Sequence, residues 1–147
     1  MKLSFSTVAA GALALAVSAD AWRFNGFQLQ DFKGPKTTKG GPGGTGSACF
    51  GVGDLNNKIS SLEWYSDDAA HGTRCCIQPF NGLGCTNFMG QTWCNNIRVY
   101  DLGQIDMDNK ITTYKTSCWK RSSKRGEEDQ GEWDEFVRRV EADAEGL

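Results

Sequence analysis

The sequence has little of what zinc-dependent or histidine-dependent chemistry requires. It contains one histidine, His71, and no Cys-x-x-Cys pair, so the usual zinc ligand sets cannot be assembled. No helical period of useful length occurs between Trp22 and Trp119. After the first twenty residues, no apolar run reaches the roughly 20 residues of a membrane-spanning helix. These absences argue against a zinc site, a helical domain and a transmembrane segment.

The candidate catalytic groups are isolated along the chain. His71 has no nucleophile to activate, because the cysteines are even in number and no Gly-x-Ser-x-Gly motif occurs. Nothing in the sequence places two of Glu63, Asp101 and Asp106 at the separation that a glycosidase needs. An EF-hand loop that starts at Asp106 fails, since its obligatory glycine position holds Ile111. We therefore predict that the protein is not an enzyme.

Residues 1–21 have the pattern of a secretory signal peptide. Lys2 provides a positive start, the stretch from Leu3 to Val17 is mostly small and apolar, and cleavage is permitted after Ala19 or Ala21. The apolar stretch is too short for a membrane anchor. We therefore predict a secreted, extracellular protein.

The mature chain then contains an even number of cysteines. An even number in a short secreted protein predicts disulfides, and six cysteines allow 15 connectivities, between which the sequence does not decide. Each bridge stabilises such a domain by about 2 to 4 kcal/mol, out of a net stability of roughly 5 to 15 kcal/mol. We expect reduction to unfold or strongly weaken the protein. The six are Cys49, Cys75, Cys76, Cys85, Cys94 and Cys118.

Residues 120–147 differ from the rest of the chain in charge. The dibasic pairs Lys120-Arg121 and Lys124-Arg125 precede a segment with nine acidic and two basic residues, a net charge of −7. Residues 22–125 hold thirteen Lys and Arg against eight Asp and Glu, so the overall net charge of −2 conceals a body near +5. The dibasic pairs resemble endoprotease processing sites. An uncleaved, solvated tail is the alternative.

The acidic tail contains one apolar stripe. Trp133, Phe136, Val137 and Val140 are spaced i, i+3, i+4, i+7 and would share one face of a helix. We interpret this face as a docking face, because the excess of acidic residues argues against an anionic bilayer. The tail is expected to be helical or disordered.

Short apolar segments bounded by turn residues predict β-strands in the body of the chain. Several of them alternate apolar with polar residues, as a half-buried strand does. We therefore predict an all-β domain over residues 22–119, either a sandwich or a small barrel. The segments are FQLQDF, KISSLEWY, CCIQPF, NIRVYDL and KITTYKTSCW.

Residues 33–47, KGPKTTKGGPGGTGS, form the longest low-complexity stretch. A phosphate-binding loop requires a lysine after its last glycine and a following helix. Here Ser47 follows that glycine directly, and a strand is predicted next. We interpret the stretch as a flexible surface loop.

One phrase occurs twice in the body of the chain. LNNKISSLEW at residues 55–64 returns as MDNKITTYKT at residues 107–116, 52 positions later. Repetition of this kind indicates a repeated supersecondary unit. Each copy follows a segment with two aromatic residues and a glycine; the first has Phe27, Phe32 and Gly34, and the second has Phe80, Phe88 and Gly90.

This plan resembles the βγ-crystallin Greek-key motif, and the resemblance covers residues 22–119. It implies two keys, at 22–66 and 72–119, packed as one disulfide-stapled sandwich. Microbial members of the family carry an Asn/Asp-Asn/Asp-x-x-Ser/Thr-Ser signature for calcium, which residues 56–61 match fully and residues 108–113 match except at the last position. The second hairpin departs from the pattern, with seven residues between its aromatics instead of four, and the cysteines are foreign to lens members.

The resemblance also implies a set of calcium ligands shared across the keys. With Asp108 as the only carboxylate in either hexamer, we expect weak binding, on the order of 10⁻⁴ to 10⁻³ M. The alternative is that the hexamers are strand-closing turns that bind no metal. The implied ligands are Asn57, the Lys58 carbonyl and Ser60 from one key, and Asn109, the Lys110 carbonyl and Thr112 from the other.

Two functional hypotheses follow. The first is a secreted, non-enzymatic βγ-crystallin-like module that binds Ca²⁺ weakly. The second is a secreted cysteine-rich antimicrobial, killer-toxin-like or host-directed protein, because a basic body would be attracted to anionic microbial or host surfaces. The basic residues are scattered and lack an aromatic stacking platform, which argues against nucleic acid. We expect a monomer with an unknown extracellular target.

Overall fold

The computed structural model describes residues 20–41, 46–68, 72–120 and 127–146. The predicted signal sequence up to Ala19, His71 and the second dibasic pair lie outside these residues.

Two four-stranded antiparallel sheets form the body of the molecule. The first sheet has the order β2-β1-β4-β7, and the second has the order β3-β8-β6-β5. The first key contributes the strand at residues 46–51 to the second sheet, and the second key contributes the strand at residues 97–99 to the first sheet, which is how two Greek keys interlock. The predicted all-β sandwich of two keys is confirmed. The strands are β1 (Trp22–Leu29), β2 (Lys33–Gly41), β3 (Gly46–Gly51), β4 (Ser61–Tyr65), β5 (Asp67–Asp68), β6 (Thr73–Phe80), β7 (Ile97–Val99) and β8 (Thr113–Lys120).

For residues 33–41, 46 and 47, the interpretation as a flexible loop is wrong, since these residues are in strands. Lys33–Gly41 is strand β2, which pairs with β1 from Trp22 opposite Gly41 to Leu29 opposite Lys33. An edge strand tolerates Pro35 and several lysines, because one of its sides makes no ladder hydrogen bonds. Residues 33–41 therefore form a strand because they pair with β1, and not because their own composition favours a strand.

The core lies between the two sheets and is rich in aromatic residues. Side chains alternate along each strand, so every second residue points inward. Trp22 stacks on Trp64 at 5.6 Å between ring centroids, and Phe24 contacts Tyr114 at 4.5 Å. The largest fully buried side chains include Trp64, Tyr114, Phe24, Phe80, Ile59, Leu62, Ile77, Leu102, Met107 and Ile111.

All six cysteines are paired. Cys49 bonds to Cys85, Cys75 to Cys118 and Cys76 to Cys94. Cys75 and Cys76 are neighbours in β6, so their side chains point to opposite faces of the second sheet. Cys75 belongs to the main core, whereas Cys76 belongs to a smaller cluster on the outer face. Strand β6 is therefore held by one disulfide on each of its two faces.

The tail forms helix α1, Glu127–Glu145. Its apolar stripe contacts the outer face of the second sheet, where Trp133 lies 5.4 Å from Trp119 between ring centroids. The tail is therefore helical and not disordered, and the prediction that its apolar stripe is a docking face is confirmed. Among the described residues, no helix combines the length and apolar character needed to cross a membrane.

Candidate functional site

The two aromatic hairpins have the same geometry despite their different lengths. Gly34 and Gly90 both have a positive φ, 78° and 81°, a conformation that costs other residues more than glycine. The ring centroids of the two aromatics are 5.6 Å apart in each hairpin. The three extra residues of the second hairpin therefore leave the Greek-key hairpin intact.

The last residue of each hexamer fastens the hairpin of its own key. In key one, the Ser61 hydroxyl accepts a hydrogen bond from the Phe32 N–H at 3.0 Å and donates to the Leu29 carbonyl at 2.6 Å. In key two, the Thr113 hydroxyl accepts from the Cys85 N–H at 3.2 Å and donates to the Gly82 carbonyl at 2.6 Å. Threonine replaces serine here with the same pair of bonds, so this departure from the signature does not alter the fold.

The middles of the two hexamers are joined to each other across the keys. The Asn57 N–H donates to the Ile111 carbonyl, and the Asn109 N–H donates to the Ile59 carbonyl, both at 3.0 Å. Asn57 and Asn109 each have a φ of 56°, which asparagine tolerates better than most residues. We call this pair of reciprocal bonds and its surrounding side chains the interlock.

Oxygen atoms from both keys converge at the interlock. The Thr112 hydroxyl donates to the Asn57 side-chain carbonyl at 3.2 Å, a bond between the two keys. The Asn109 amide donates to Asp108 Oδ2 at 3.3 Å. The other carboxylate oxygen, Asp108 Oδ1, is buried and has no hydrogen-bond partner. A buried, unpartnered carboxylate oxygen is costly, so it marks a place where a cation or a water would be favourable.

Several solved structures that resemble the chain are described as βγ-crystallin domains, at 20% identity or less. One concerns the evolution of the eye lens βγ-crystallin domain fold; it is 18% identical, with 69% of this chain and 90% of that chain covered and a TM-score of 0.45. An archaeal βγ-crystallin is 20% identical, covering 65% of this chain and 96% of its own, with a TM-score of 0.41. A domain from Clostridium beijerinckii is 15% identical, covering 64% and 95%, with a TM-score of 0.42.

Two features identify the fold: the keys exchange strands between the two sheets, and each key has an aromatic hairpin of the same geometry. The chain has a βγ-crystallin-like fold. No protein family matches the sequence, and no curated protein matches it.

Of the metal ligands that the βγ-crystallin resemblance implies, Asn57 and Thr112 are joined by a hydrogen bond, and Asn57 and Asn109 each donate an N–H across the keys. Ser60 and Thr112 are each 8% exposed, so both hydroxyl-bearing residues are within the fold and not on its surface. The Lys110 ammonium group is held by Asp106 Oδ1 at 2.7 Å, an exposed pair. The implied set of ligands omits the Asp108 carboxylate, which is the acidic group of the two hexamers. Its position as the first residue of the second hexamer is the sequence signal that could have identified it as a candidate ligand.

The donor set fits a hard cation of modest affinity. Ca²⁺ takes six to eight oxygen ligands from carboxylates, amide and backbone carbonyls, hydroxyls and water. The implied ligands together with Asp108 include a carboxylate, two asparagine amides and two hydroxyls. In the part of the chain that the structure describes, no group of three or more His, Cys, Asp and Glu side chains converges. The sparse negative charge agrees with weak affinity and not with a tight structural site.

The other carboxylates considered for catalysis have structural partners. Glu63 binds the Arg98 guanidinium at 3.0 Å and accepts a hydrogen bond from the Tyr65 hydroxyl. Asp101 accepts from the Gly103 N–H at 2.8 Å and thereby begins a short 3₁₀ helix at Leu102–Ile105. These contacts support local structure and assemble no acid and base pair.

Proposed function

We propose that the protein is a secreted, non-enzymatic βγ-crystallin-like module that binds Ca²⁺ weakly at the interlock of its two keys. Thr112 and Asn57 are joined across the keys by a hydrogen bond at 3.2 Å. The observation that supports the proposal most is the buried, unpartnered Asp108 Oδ1. A cation there would gain a carboxylate ligand and would relieve the cost of that oxygen.

The calcium would act by stabilising the contact between the keys. Asn57 and Thr112 belong to different keys, and so do Asn109 and Ser60, so an ion held by either set ties both halves of the sandwich together. At 1 mM free ion and a dissociation constant of about 0.1 mM, mass action adds about 1.4 kcal/mol to the free energy of unfolding. This is modest beside three disulfides.

Calorimetry of the full chain tests this proposal. We expect the unfolding temperature to rise by several degrees in millimolar Ca²⁺ relative to a chelator, and to rise less in Mg²⁺, which demands stricter octahedral geometry. Asp108→Asn keeps the shape of the side chain and removes its charge, so the calcium-dependent rise should shrink or disappear.

A matched variant separates the site from general charge effects. Asp31 is exposed and has a φ of 57°, so Asp31→Asn removes one carboxylate in a conformation that asparagine tolerates. It should retain the full calcium response. No rise at up to about 10 mM Ca²⁺, or an equal loss of response in both variants, would reject the calcium site and leave the repeat as fold architecture.

The secretory part of the proposal is supported by the cysteines and by the start of β1. The full pairing of the cysteines fits an oxidising compartment. Ala21 is 3% exposed, and its N–H donates to the Gly41 carbonyl at 2.8 Å. Cleavage after Ala19 keeps this bond, whereas cleavage after Ala21 removes it. We expect N-terminal sequencing of the secreted protein to begin at Asp20.

A second candidate function rests on the charge of strand β2. Lys33, Lys36 and Lys39 are all exposed on this edge strand, where the sequence between Lys33 and Gly41 contains no acidic residue. Three exposed lysines on one edge strand would be attracted to an anionic microbial or host surface. This supports the antimicrobial or host-directed alternative.

Vesicle binding by the full chain tests the second candidate. Replacement of Lys33, Lys36 and Lys39 by glutamine should weaken binding to anionic vesicles, and added salt should do the same. The matched control removes three lysines elsewhere, at Lys58, Lys115 and Lys120. If the two triple variants bind equally, the edge strand has no special part in surface binding.

A further inference from the structure

One of the three disulfides joins the two keys. Cys49 lies in key one and Cys85 lies in key two. All six cysteines belong to the described part of the chain, and both ends of each other bridge fall within residues 72–119. Cys49–Cys85, which we call the inter-key disulfide, is therefore the only disulfide that fastens one key to the other. The two bridges within key two are Cys75–Cys118 and Cys76–Cys94.

The inter-key disulfide holds strand β3 (Gly46–Gly51) at the edge of the second sheet. This strand comes from key one, pairs with β8, and contains no buried residue. Its half-buried Phe50 packs on Tyr114 at 5.5 Å between ring centroids, and the Ser47 and Ser117 hydroxyls share a hydrogen bond at 2.9 Å. A strand with one ladder and little buried apolar area opens more easily than a central strand. We therefore expect the disulfide to be a main restraint on β3.

The other end of the inter-key disulfide lies in the hairpin of key two. The Cys85 N–H donates to the Thr113 hydroxyl. In key one, the Phe32 N–H donates to the Ser61 hydroxyl in the same way. Both hairpin residues also contact the strand received from the other key: Phe32 packs on Tyr100, directly after β7, at 4.8 Å between ring centroids, whereas Cys85 bonds covalently to β3. A reductant can therefore break only the second of these equivalent contacts.

The inter-key disulfide is also the bridge with an exposed cysteine. Cys49 is exposed on the edge strand. In the other two bridges, the more exposed members are Cys118, at 7%, and Cys94, which is half-buried beside α1. Reduction requires a thiolate to reach one of the two sulfur atoms, so access controls its rate. A reductant in solvent therefore reaches the inter-key disulfide more easily than the other two.

We propose that the inter-key disulfide is a redox switch: a dithiol reduces it ahead of the other two bridges, and β3 is then released from the second sheet while the rest of the sandwich stays folded. A thiolate of the dithiol bonds to Cys49 Sγ, and Cys85 leaves as a thiolate that takes a proton from water. The second thiolate of the dithiol then displaces Cys49 from the mixed disulfide. Two electrons pass to the protein, and the dithiol becomes a cyclic disulfide.

Other contacts hold the keys together after this reduction. The reciprocal bonds of the interlock join Asn57 to Ile111 and Asn109 to Ile59, and none of these residues is in β3. The disulfides within key two stay closed, so β6 remains joined to β8. The switch does not require bound calcium, and it is therefore independent of the function proposed above.

Partial reduction of the oxidised full chain tests the order in which the bridges open. Limiting dithiothreitol is added near neutral pH without denaturant, samples are quenched with iodoacetamide, and the alkylated cysteines are located by mass spectrometry of peptides. We expect Cys49 and Cys85 to be alkylated together, at least about tenfold faster than the other four cysteines.

Hydrogen exchange tests the release of β3. In the selectively reduced and alkylated protein, the β3 amides should exchange at least about tenfold faster than in the oxidised protein. Exchange in β1 and β6 should not change. Without alkylation, removal of the dithiol and addition of oxidised glutathione should restore slow exchange in β3, because a switch must be reversible.

Two variants serve as matched controls for the hairpin contacts. Cys49→Ser combined with Cys85→Ser should show the fast exchange of β3 without any reductant. Phe32→Ala removes the equivalent aromatic contact in key one, so it should speed exchange in β7 and leave both β3 and the order of reduction unchanged.

Several outcomes would overturn the proposal. Simultaneous reduction of all three bridges, or earlier alkylation of Cys94 or Cys118, excludes selective reduction. Selective reduction without faster exchange in β3 means that the ladder with β8 is sufficient to hold the strand. Loss of near-ultraviolet circular dichroism on selective reduction, or failure of reoxidation to restore slow exchange, makes the bond a requirement of the fold and not a switch.

Discussion

Asn57 and Asn109 show why the repeated phrase carries asparagine at its second position. Each has a left-handed backbone conformation and donates its N–H to the opposite key. Asparagine accepts this conformation at small cost and also offers an amide oxygen. The repeat therefore combines a turn requirement and a possible ligand in one residue.

The glycine at position 82 is required by close contact and not by its own backbone angle. A Cβ atom at Gly82 would lie 2.7 Å from the Thr86 carbonyl oxygen and still closer to the Thr86 hydroxyl. We expect Gly82→Ala to lower the free energy of unfolding by about 1 to 3 kcal/mol, measured by urea denaturation. Gly51→Ala is the control, because no atom lies within 4 Å of the added Cβ. A similar effect of both changes would contradict this account.

Tyr114 should limit stability at alkaline pH. It is 1% exposed, and burial raises the pKa of its hydroxyl well above the ordinary value of 10. Above about pH 10 the unfolded chain releases this proton while the folded chain retains it. The stabilisation is therefore complete below the unfolded pKa and decreases as the pH rises above it.

Comparison of two tyrosine variants tests this pH dependence. Relative to the unaltered protein, Tyr114→Phe should reduce the loss of unfolding free energy between pH 9 and pH 11, roughly the range around the unfolded pKa. Tyr65 is exposed, and its pKa is raised chiefly by its hydrogen bond to Glu63, so Tyr65→Phe should alter the dependence less. An unchanged slope in Tyr114→Phe would show that another group dominates.

Sequence could predict the residues of the interlock but not their partners. The resemblance to the βγ-crystallin calcium signature implies Asn57 and Thr112 as ligands, but the bond between them crosses 55 positions in the chain. Such contacts depend on how the keys dock. The sequence identifies Asp108 as the only carboxylate of the hexamers, but it does not reveal that one of its oxygens is buried without a partner.

At the scale of elements, strand β2 was the clearest failure of prediction. Its glycines, lysines and proline are typical of a loop, and no apolar alternation marks it as a strand. Its pairing with β1 supplies what its composition lacks. The apolar strands β1, β4, β6, β7 and β8 were predictable, because each must bury one face in the core.

Helix α1 contains a residue that weakens it without any packing benefit. Gly131 lies in the helix, and no atom lies within 4 Å of an added Cβ. Gly131→Ala should stabilise the helix by about 1 kcal/mol, which corresponds to roughly fivefold slower hydrogen exchange of the α1 amides. Exchange in the two sheets should not change. Unaltered exchange in α1 would mean that docking, and not helix formation, limits its opening.

For the whole molecule, the disulfides should differ in what they stabilise. Cys75–Cys118 lies in the main core and closes a separation of 43 residues, whereas Cys49–Cys85 closes 36 and Cys49 is exposed. Loop closure contributes about 4 kcal/mol in each case. Removing the core pair also leaves a cavity, which costs more.

Double alanine variants measure this difference by urea denaturation. Replacing Cys75 and Cys118 should cost at least about 1 kcal/mol more than replacing Cys49 and Cys85, because of the cavity term. Equal losses of unfolding free energy would show that the surroundings of the bond do not matter. The order of the two losses was not predictable from sequence, because the six cysteines permitted every connectivity.

The adjacency of Cys75 and Cys76 makes disulfide pairing and strand register a single choice. If the two cysteines exchanged partners, β6 would have to slip by one residue, and Ile77 would leave the core for solvent. A mispaired chain would then be poorly packed, and its bonds would stay open to attack by free thiols. We expect that only correct pairing buries the Cys75–Cys118 bond in the closed core, so that thiol exchange during oxidative folding corrects errors of register.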